Sequence, residues 1–220
     1  MASNKYLEIL PETELQHAPA QGYANLGDQA VLRELAVRHI PYQRAEPPSG
    51  GVRLPIKLTG RLHGVLIRST LPPKQARKTP FDIMDGRLAL ALDDFCRILQ
   101  AHDIVEVVHF TIYRASGVSN PDAPQYRHGG GLAIDVGALR KRSGRWMTVG
   151  PHWAPQIGAQ TCGPGARKLR GRPGRELLSI VCEAYEQKLF HYSLTPHFDA
   201  SHHDHLHLEI KPGVKWFLVN

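Results

Sequence analysis

Apolar residues recur along this chain at two spacings, and each spacing predicts one kind of element. From about Phe81 to Ala101 they recur every three or four residues, which predicts a helix with one buried stripe. Residues 174–190 repeat the spacing and predict a second long helix. A shorter pattern over Asp28 to Ile40 predicts a third helix, capped by Asp28.

Strict alternation of apolar and polar residues marks two other segments, 131–137 and 205–210. A period of two predicts strands with one face in the core. The Val- and Ile-rich run Ile104 to Arg114 predicts a further strand, residues 53–68 one or two short ones, and Trp146 to Val149 another. Helices interspersed with such strands favour an α+β fold, with a central, mainly antiparallel sheet flanked by the two longer helices.

Length and composition favour one main domain preceded by an arm. A chain of 220 residues with 42% hydrophobic residues is sufficient for one core. Residues 1–27 show no regular period and residues 41–52 are rich in Pro and Gly, so we predict an N-terminal arm over 1–52 with one short helix. The main domain is then expected over 53–220.

The two alternating segments carry the candidate metal ligands. In the second segment three polar residues share one strand face: His205, His207 and Glu209. In the first, Asp135 is the only bulky residue on its face, and glycines 129–131 allow a bend that brings His128 toward it. A catalytic zinc usually has three His or carboxylate ligands and one open position, so His128, Asp135 and His207 predict one Zn²⁺ per chain. Adventitious metal binding by a His-rich tract is the alternative.

These segments resemble the motifs of the LAS metallopeptidases, a group named for lysostaphin, the D-alanyl-D-alanine peptidases and sonic hedgehog. Residues 126–135 are similar to S-x-H-x-x-G-x-A-x-D, with Tyr126 in place of Ser. Residues 202–209 are similar to the run H-x-D-H-x-H-x-D of the bacterial extensin-like C-terminal domains, with Glu209 in the last place. The pair Tyr113-Arg114 resembles a Tyr-Arg of the peptidases, and the resemblance covers roughly residues 80–212.

The resemblance implies a zinc-dependent peptidase that hydrolyses a bond in peptidoglycan stem peptides through a zinc-activated water. Carboxypeptidase and endopeptidase activities, D,D or L,D, remain open. Arg114 would stabilise the oxyanion or bind a terminal carboxylate, and three residues would contact the substrate or support the site: Tyr113, Tyr126 and His202. A zinc-containing binding module without turnover is the alternative, since the hedgehog branch keeps such a site without known hydrolysis.

Two neighbouring residues are candidates for the general base. Strand alternation places His205 on the face of His207 and Asp204 on the other face, unless the strand bends there. We therefore predict that His205 is the base and that Asp204 orients it, with Asp204 itself as the alternative. The presence of both residues favours an enzyme over a binding module.

Charge is concentrated in one stretch of the chain. Between Val136 and Arg175 there are nine Lys or Arg residues and no Asp or Glu, whereas the remaining residues hold 18 basic and 20 acidic side chains. The stretch is either a solvated loop or a binding surface for an anionic polymer such as the cell wall. Nucleic acid ranks last among such polymers because no RNA-binding aromatic motif or zinc-finger spacing is present.

Cysteine content and hydropathy indicate which cellular compartments suit the protein. Cys96 and Cys182 lie on apolar helix faces and Cys162 lies in a Gly-Pro-rich loop, so an odd count leaves the pairing open. No run of 18 apolar residues predicts a membrane span, and Met1 to Pro11 lacks the apolar core of a secretory signal. The resemblance nevertheless implies a periplasmic or exported bacterial protein.

Overall fold

A computed structural model describes residues 6–47, 51–115 and 127–220, so the predicted loop 116–124 and Tyr126 lie outside the described residues. The strands are β1 (Leu7–Ile9), β2 (Tyr42–Arg44), β3 (Pro55–Leu58), β4 (Leu66–Ser69), β5 (Met84–Asp85), β6 (Ile104–His109), β7 (Ala133–Lys141), β8 (Trp146–Thr148), β9 (Tyr192–Leu194), β10 (Leu206–Glu209) and β11 (Trp216–Val219). The α-helices are α1 (Glu12–Leu15), α2 (Pro19–Ala24), α3 (Asp28–Val37), α4 (Pro73–Ala76), α5 (Gly86–Ala101), α6 (Val149–Trp153) and α7 (Gly171–Glu186).

The larger of the two sheets has the strand order β1-β11-β9-β10-β7-β6-β4. Strand β7 is long enough to pair with β10 over its first half and with β8 over its second half. The pairs β9–β11 and β4–β6 are parallel and the other neighbours are antiparallel. A smaller sheet has the order β2-β3-β5. The α+β class predicted from the sequence is confirmed, with a mixed and mostly antiparallel main sheet.

The two long helices bury the stripes that the sequence predicts. The carboxylate of Asp85 caps α5 by accepting from the amide of Arg87, and Leu88, Leu92 and Phe95 are buried on this helix. Helix α5 contacts β6, and α7 contacts β8 and α6. Both elements differ from their predicted limits: α5 begins at Gly86 rather than Phe81 because β5 and its cap precede it, and α7 covers 171–186. The position of these helices as flanks of the sheet stays a prediction.

Three smaller predictions on secondary structure are corrected. Residues 6–27 are not irregular, because β1 pairs with β11 and the short helices α1 and α2 bury Leu15 and Ala20. Elements of three to six residues are too short to show a period. Asp28 is the first residue of α3 rather than its cap, and no side chain caps that end. Strand β6 ends at His109, five residues before the predicted Arg114.

A disulfide joins Cys162, in the segment before α7, to Cys182 on that helix, and Cys96 is a buried free thiol. The pairing that the sequence left open is therefore between one loop and one helix. None of the helices in the described residues is both long and apolar enough to cross a membrane.

Candidate metal centre

The centre is built on two neighbouring strands whose register brings an acid and an imidazole together. Asp135 on β7 lies directly opposite His207 on β10, and residues in such positions have side chains on the same face of a sheet. The Nδ1 atom of His207 is 3.0 Å from Oδ1 of Asp135. On the opposite face Ile134, Val136 and Leu206 are buried in the core, as the alternation predicts.

His128 reaches the same point from a short 3-10 turn over 128–130. The turn ends at Gly131, whose φ of 65° is left-handed, and a Cβ there would lie 2.8 Å from the amide nitrogen of Asp85. Glycine is therefore required at 131 by conformation and by space. The Nδ1 atom of His128 donates to the carbonyl of Ile112 at 2.9 Å, which leaves Nε2 facing Oδ2 of Asp135 at 3.2 Å.

The three side chains can hold a metal ion. One ligand atom from each of His128, Asp135 and His207 can be chosen so that all three lie within 4.8 Å of one another. On the far side of His207, Nε2 lies 3.1 Å from Oε2 of Glu209. Because a carboxylate only accepts, both ring nitrogens of His207 donate in this metal-free cluster. Glu209 would keep the proton on Nε2 when a metal displaces the proton from Nδ1. Two imidazole nitrogens and a carboxylate oxygen suit a divalent transition metal.

Charges within the cluster are strongly coupled. Burial raises the pKa of Asp135, but hydrogen bonds from His128 and His207 outweigh burial and hold the pKa well below its usual range. Burial lowers the pKa of His207, and the hydrogen bonds to Asp135 and Glu209 outweigh it, so the net shift is upward. The carboxylate therefore stays ionised. A metal ion entering the cluster would displace protons from the imidazoles.

Beside the cluster lie the two candidates for the general base. The Nε2 atom of His205 is 3.6 Å from Oδ1 of Asp135, and its Nδ1 is 2.9 Å from Oδ1 of Asp204. The side chain of His205 is 15% exposed, whereas that of Asp204 is 44% exposed. Strand β10 begins only at Leu206, so both candidates lie in the approach to the strand. In this geometry His205 faces the cluster and Asp204 orients its ring from the solvent side.

His202 packs next to these residues. Its ring centroid is 5.1 Å from that of His205 and 5.9 Å from that of His207. Its Nδ1 is 2.7 Å from Oδ1 of Asp199, a residue that the sequence did not single out. Burial lowers the pKa of His202 and outweighs the opposing effect of Asp199. The structure thus brings His202 to the site and holds it there through Asp199.

The two residues of the predicted pair Tyr113-Arg114 lie in different surroundings: Tyr113 is in the core and Arg114 is beside the cluster. The guanidinium of Arg114 lies 3.4 Å from Oδ2 of Asp135 and its side chain is 64% exposed, so it borders the cluster. Tyr113 is fully buried beside Val52 and Ile83 and presents no surface to a substrate in this conformation. Tyr126, the third residue of the predicted supporting set, lies outside the described residues.

Two further residues support the cluster, and the sequence assigned neither of them a role. Glu209 fixes His207, and Nε of Arg127 lies 3.5 Å from Oε2 of Glu209. The guanidinium of Arg127 also lies over the ring of Tyr192, 5.2 Å from its centroid. Strand alternation placed Glu209 on the face of His207 and could have predicted its role. No sequence signal predicts Arg127, whose contacts depend on the turn before His128.

The basic stretch is partly neutralised within the chain. Lys141 and Arg145 pair with Glu176 on α7, and Arg140 pairs with Glu106 on β6. Arg142 and Arg172 border a surface cavity of about 560 Å³, which Lys141, Arg145 and one acid, Asp103, also line. Fewer cations are therefore available to an external partner than the sequence count indicates.

Comparison with known proteins assigns the family. A profile described as extensin-like protein C-terminus matches residues 88–217, which include both metal segments and more than half of the chain. No curated protein and no solved structure matches the chain. This chain belongs to the extensin-like protein C-terminus family.

Proposed function

We propose that this protein is a zinc-dependent peptidase that hydrolyses a bond in peptidoglycan stem peptides. The observation that carries the proposal is the convergence of His128, Asp135 and His207 within 4.8 Å, with Arg114 and His205 each within 3.6 Å of Asp135. A metal-ligand set alone fits many roles. A ligand set with an exposed cation and an oriented imidazole beside it fits hydrolysis.

The metal would be held by His128 through Nε2, by His207 through Nδ1 and by an oxygen of Asp135. Glu209 and the carbonyl of Ile112 would fix the two imidazoles, because each accepts from the ring nitrogen that does not face the cluster. A bound Zn²⁺ supplies a Lewis acid and lowers the pKa of a water to about 7.

His205 would serve as the general base. Its Nε2 faces the cluster while Asp204 accepts from Nδ1, so the nitrogen nearest the reacting groups is the one free to take a proton. Asp204 would hold the ring and stabilise the imidazolium that forms. A general base typically contributes about 10²- to 10⁴-fold in rate.

Arg114 would bind the negative charge of the substrate. Its guanidinium is exposed and adjacent to the cluster, a position from which it can pair with a developing oxyanion or a terminal carboxylate. Arg114 also contacts Asp135, so the substrate and this metal-ligating carboxylate would share the guanidinium. The same contact engages part of the guanidinium, which is the observation that favours the second candidate function, a zinc-containing binding module without turnover.

Two observations support an exported protein of the cell wall. Disulfides such as Cys162–Cys182 form and persist mainly in oxidising compartments outside the cytoplasm. Arg142 and Arg172 border an exposed cavity suited to an anionic polymer. The choice of peptidoglycan itself rests on the resemblance to the LAS peptidases.

A digest of purified sacculi distinguishes the two candidate functions. The protein is incubated with sacculi as purified, after chelation, and after zinc is restored, and the soluble muropeptides are identified by mass spectrometry. A peptidase releases fragments that chelation abolishes and zinc restores, and the fragments identify the bond. Sedimentation with the sacculi without any released fragment would indicate the binding module. His17→Ala is a matched control, because His17 is an exposed histidine just after α1 and has no assigned role in the site.

A further inference from the structure

A cavity of about 1070 Å³ lies between the two sheets, and none of the candidate metal ligands lines it. Its walls include consecutive residues of β4 and the end of β3, with α4 on one side. His109 forms part of the wall and pairs with Val136 across β6 and β7, whereas Asp135 is the next residue along β7 and faces the other side of the sheet. The cavity and the metal centre are therefore on opposite faces of this sheet.

The body of the cavity is apolar and partly solvent-accessible. Leu58, Leu66, Ile67 and Ala76 line it and are only half-buried, which is unusual for aliphatic side chains in the middle of a fold. Cavities of this size that combine apolar walls with a few polar groups are the usual form of small-molecule sites. An apolar ligand body would remove these side chains from water.

One end of the cavity is cationic. Lys57 and Arg77 both line it, and Nζ of Lys57 donates to the carbonyl of Thr79, two residues beyond Arg77. Within the described parts of the chain, neither cation forms an ion pair with a carboxylate. Of the other charged lining groups, Arg68 pairs with Glu106, and Asp82 lies 3.0 Å from Nε2 of His109, so Lys57 and Arg77 outnumber the one lining carboxylate. The uncompensated charge at this end is therefore positive.

We propose that this cavity binds an amphipathic organic anion, with its apolar body between β3 and β4 and its carboxylate between Lys57 and Arg77. An uncharged ligand of the same shape would leave both cations without a partner. A cationic ligand would be repelled by them. The proposal does not rest on the proposed peptidase activity, and the cavity meets the metal centre only at Ile112, whose carbonyl accepts from His128.

The test measures binding of 8-anilinonaphthalene-1-sulfonate, an apolar anion whose fluorescence rises when it leaves water. Three compounds with ten-carbon chains and different head groups, each below its micelle concentration, then compete with this probe. Decanoate should displace the probe at least tenfold more effectively than decan-1-ol, and decyltrimethylammonium should be the weakest. Equal displacement by all three, or no saturable binding of the probe, would overturn the proposal.

Variants locate the binding. K57E/R77E should weaken decanoate at least tenfold and leave decan-1-ol within twofold. A76W should weaken both chains, because an indole would occupy the apolar body. The exposed pair R33E/K215E carries the same change of charge away from the cavity and should bind decanoate as the wild type does. Circular dichroism and thermal unfolding establish that each variant is folded. Decanoate binding that A76W does not change, or that R33E/K215E weakens as much as K57E/R77E does, would show that the ligand lies elsewhere.

Discussion

The candidate metal centre and the basic stretch both concentrate charge, but they differ in how that charge is held. In the centre, Asp135, His207 and Glu209 are each no more than 4% exposed and compensate one another at fixed distances of 3.0 and 3.1 Å. In the basic stretch, Arg142, Arg172 and Arg175 are solvated or at the rim of an open cavity. Electrostatic interactions between buried, compensated charges are strong and change little with salt, whereas those of exposed charges are weak and are screened by salt.

The largest effect is expected from the base. His205→Ala should lower turnover of stem peptides by about 10²- to 10⁴-fold at equal zinc occupancy, because the nitrogen facing the cluster is lost. Asp204→Ala should cost less, since His205 keeps its position beside Asp135. Turnover numbers for both variants, with zinc measured in each sample, test this order. An inactive Asp204 variant beside a near-normal His205 variant would reverse the two roles.

The next effect concerns the support of His207. Glu209→Gln keeps the shape of the side chain and removes its charge, so it should weaken zinc binding by about 10- to 100-fold, as loss of a supporting carboxylate does in other metal sites. Competition with a chromophoric chelator measures this affinity. Glu186→Gln, a change at an exposed position on α7, is the control and should leave the affinity unchanged. An unchanged affinity in Glu209→Gln would mean that Arg127 and Glu209 do not act on the centre.

The cost of burying a charge should also make stability depend on pH through His191, a buried histidine that is not a candidate ligand and whose amide donates to the carbonyl of Glu209. Burial lowers the pKa of His191 to about 4, with a further contribution from Lys211, whereas an unfolded histidine titrates near 6.5. The unfolded chain therefore binds this proton at a higher pH than the folded chain does. The contribution of His191 to the free energy of unfolding is fully present above about pH 6.5 and is lost as the pH falls toward 4. The slope is up to about 1.4 kcal/mol per pH unit.

Urea unfolding at pH 7 and pH 5 measures the loss for the wild type and for His191→Gln. The variant should lose less stability between the two pH values than the wild type. His17→Gln, at an exposed site, serves as the control and should retain the wild-type pH dependence. Identical pH dependence in all three proteins would remove His191 as the cause.

The smallest effect is expected from the basic stretch. If it contacts the wall, binding to sacculi should weaken as salt rises past about 0.15 M, where the screening length falls below about 8 Å. Arg142→Gln with Arg172→Gln should weaken binding severalfold at low salt, whereas Arg33→Gln should not. The choice of Arg142 and Arg172 follows from the structure, because Arg140 and Lys141 already pair with glutamates. Binding that is insensitive to salt and to these substitutions would identify the stretch as a solvated surface.

The sequence predicted those parts of the centre that depend on local period. Alternation in β7 and β10 placed Asp135 and His207 on matching faces, and the glycines before β7 indicated the turn that carries His128. Alternation alone does not determine which strands are neighbours or in what register. The prediction that the two segments meet came from the ligand chemistry of their residues, because a catalytic zinc needs three His or carboxylate ligands.

Contacts between distant segments were not predictable. Arg127 reaches Glu209 across 82 positions in the chain, and Asp199 reaches His202 only because the segment before β10 folds back in a short turn.

The prediction of an irregular N-terminal segment was wrong for another reason. Strand β1 has three residues and its neighbour is β11, at the far end of the chain, so neither period nor proximity could indicate it.

Zinc-edge anomalous diffraction from crystals of protein purified without added metal tests the central claim most directly. The account predicts one zinc per chain, coordinated by Nε2 of His128, an oxygen of Asp135 and Nδ1 of His207 at about 2.0 to 2.2 Å. No peak at this position, or a peak coordinated by His202 or His203 instead, would contradict it.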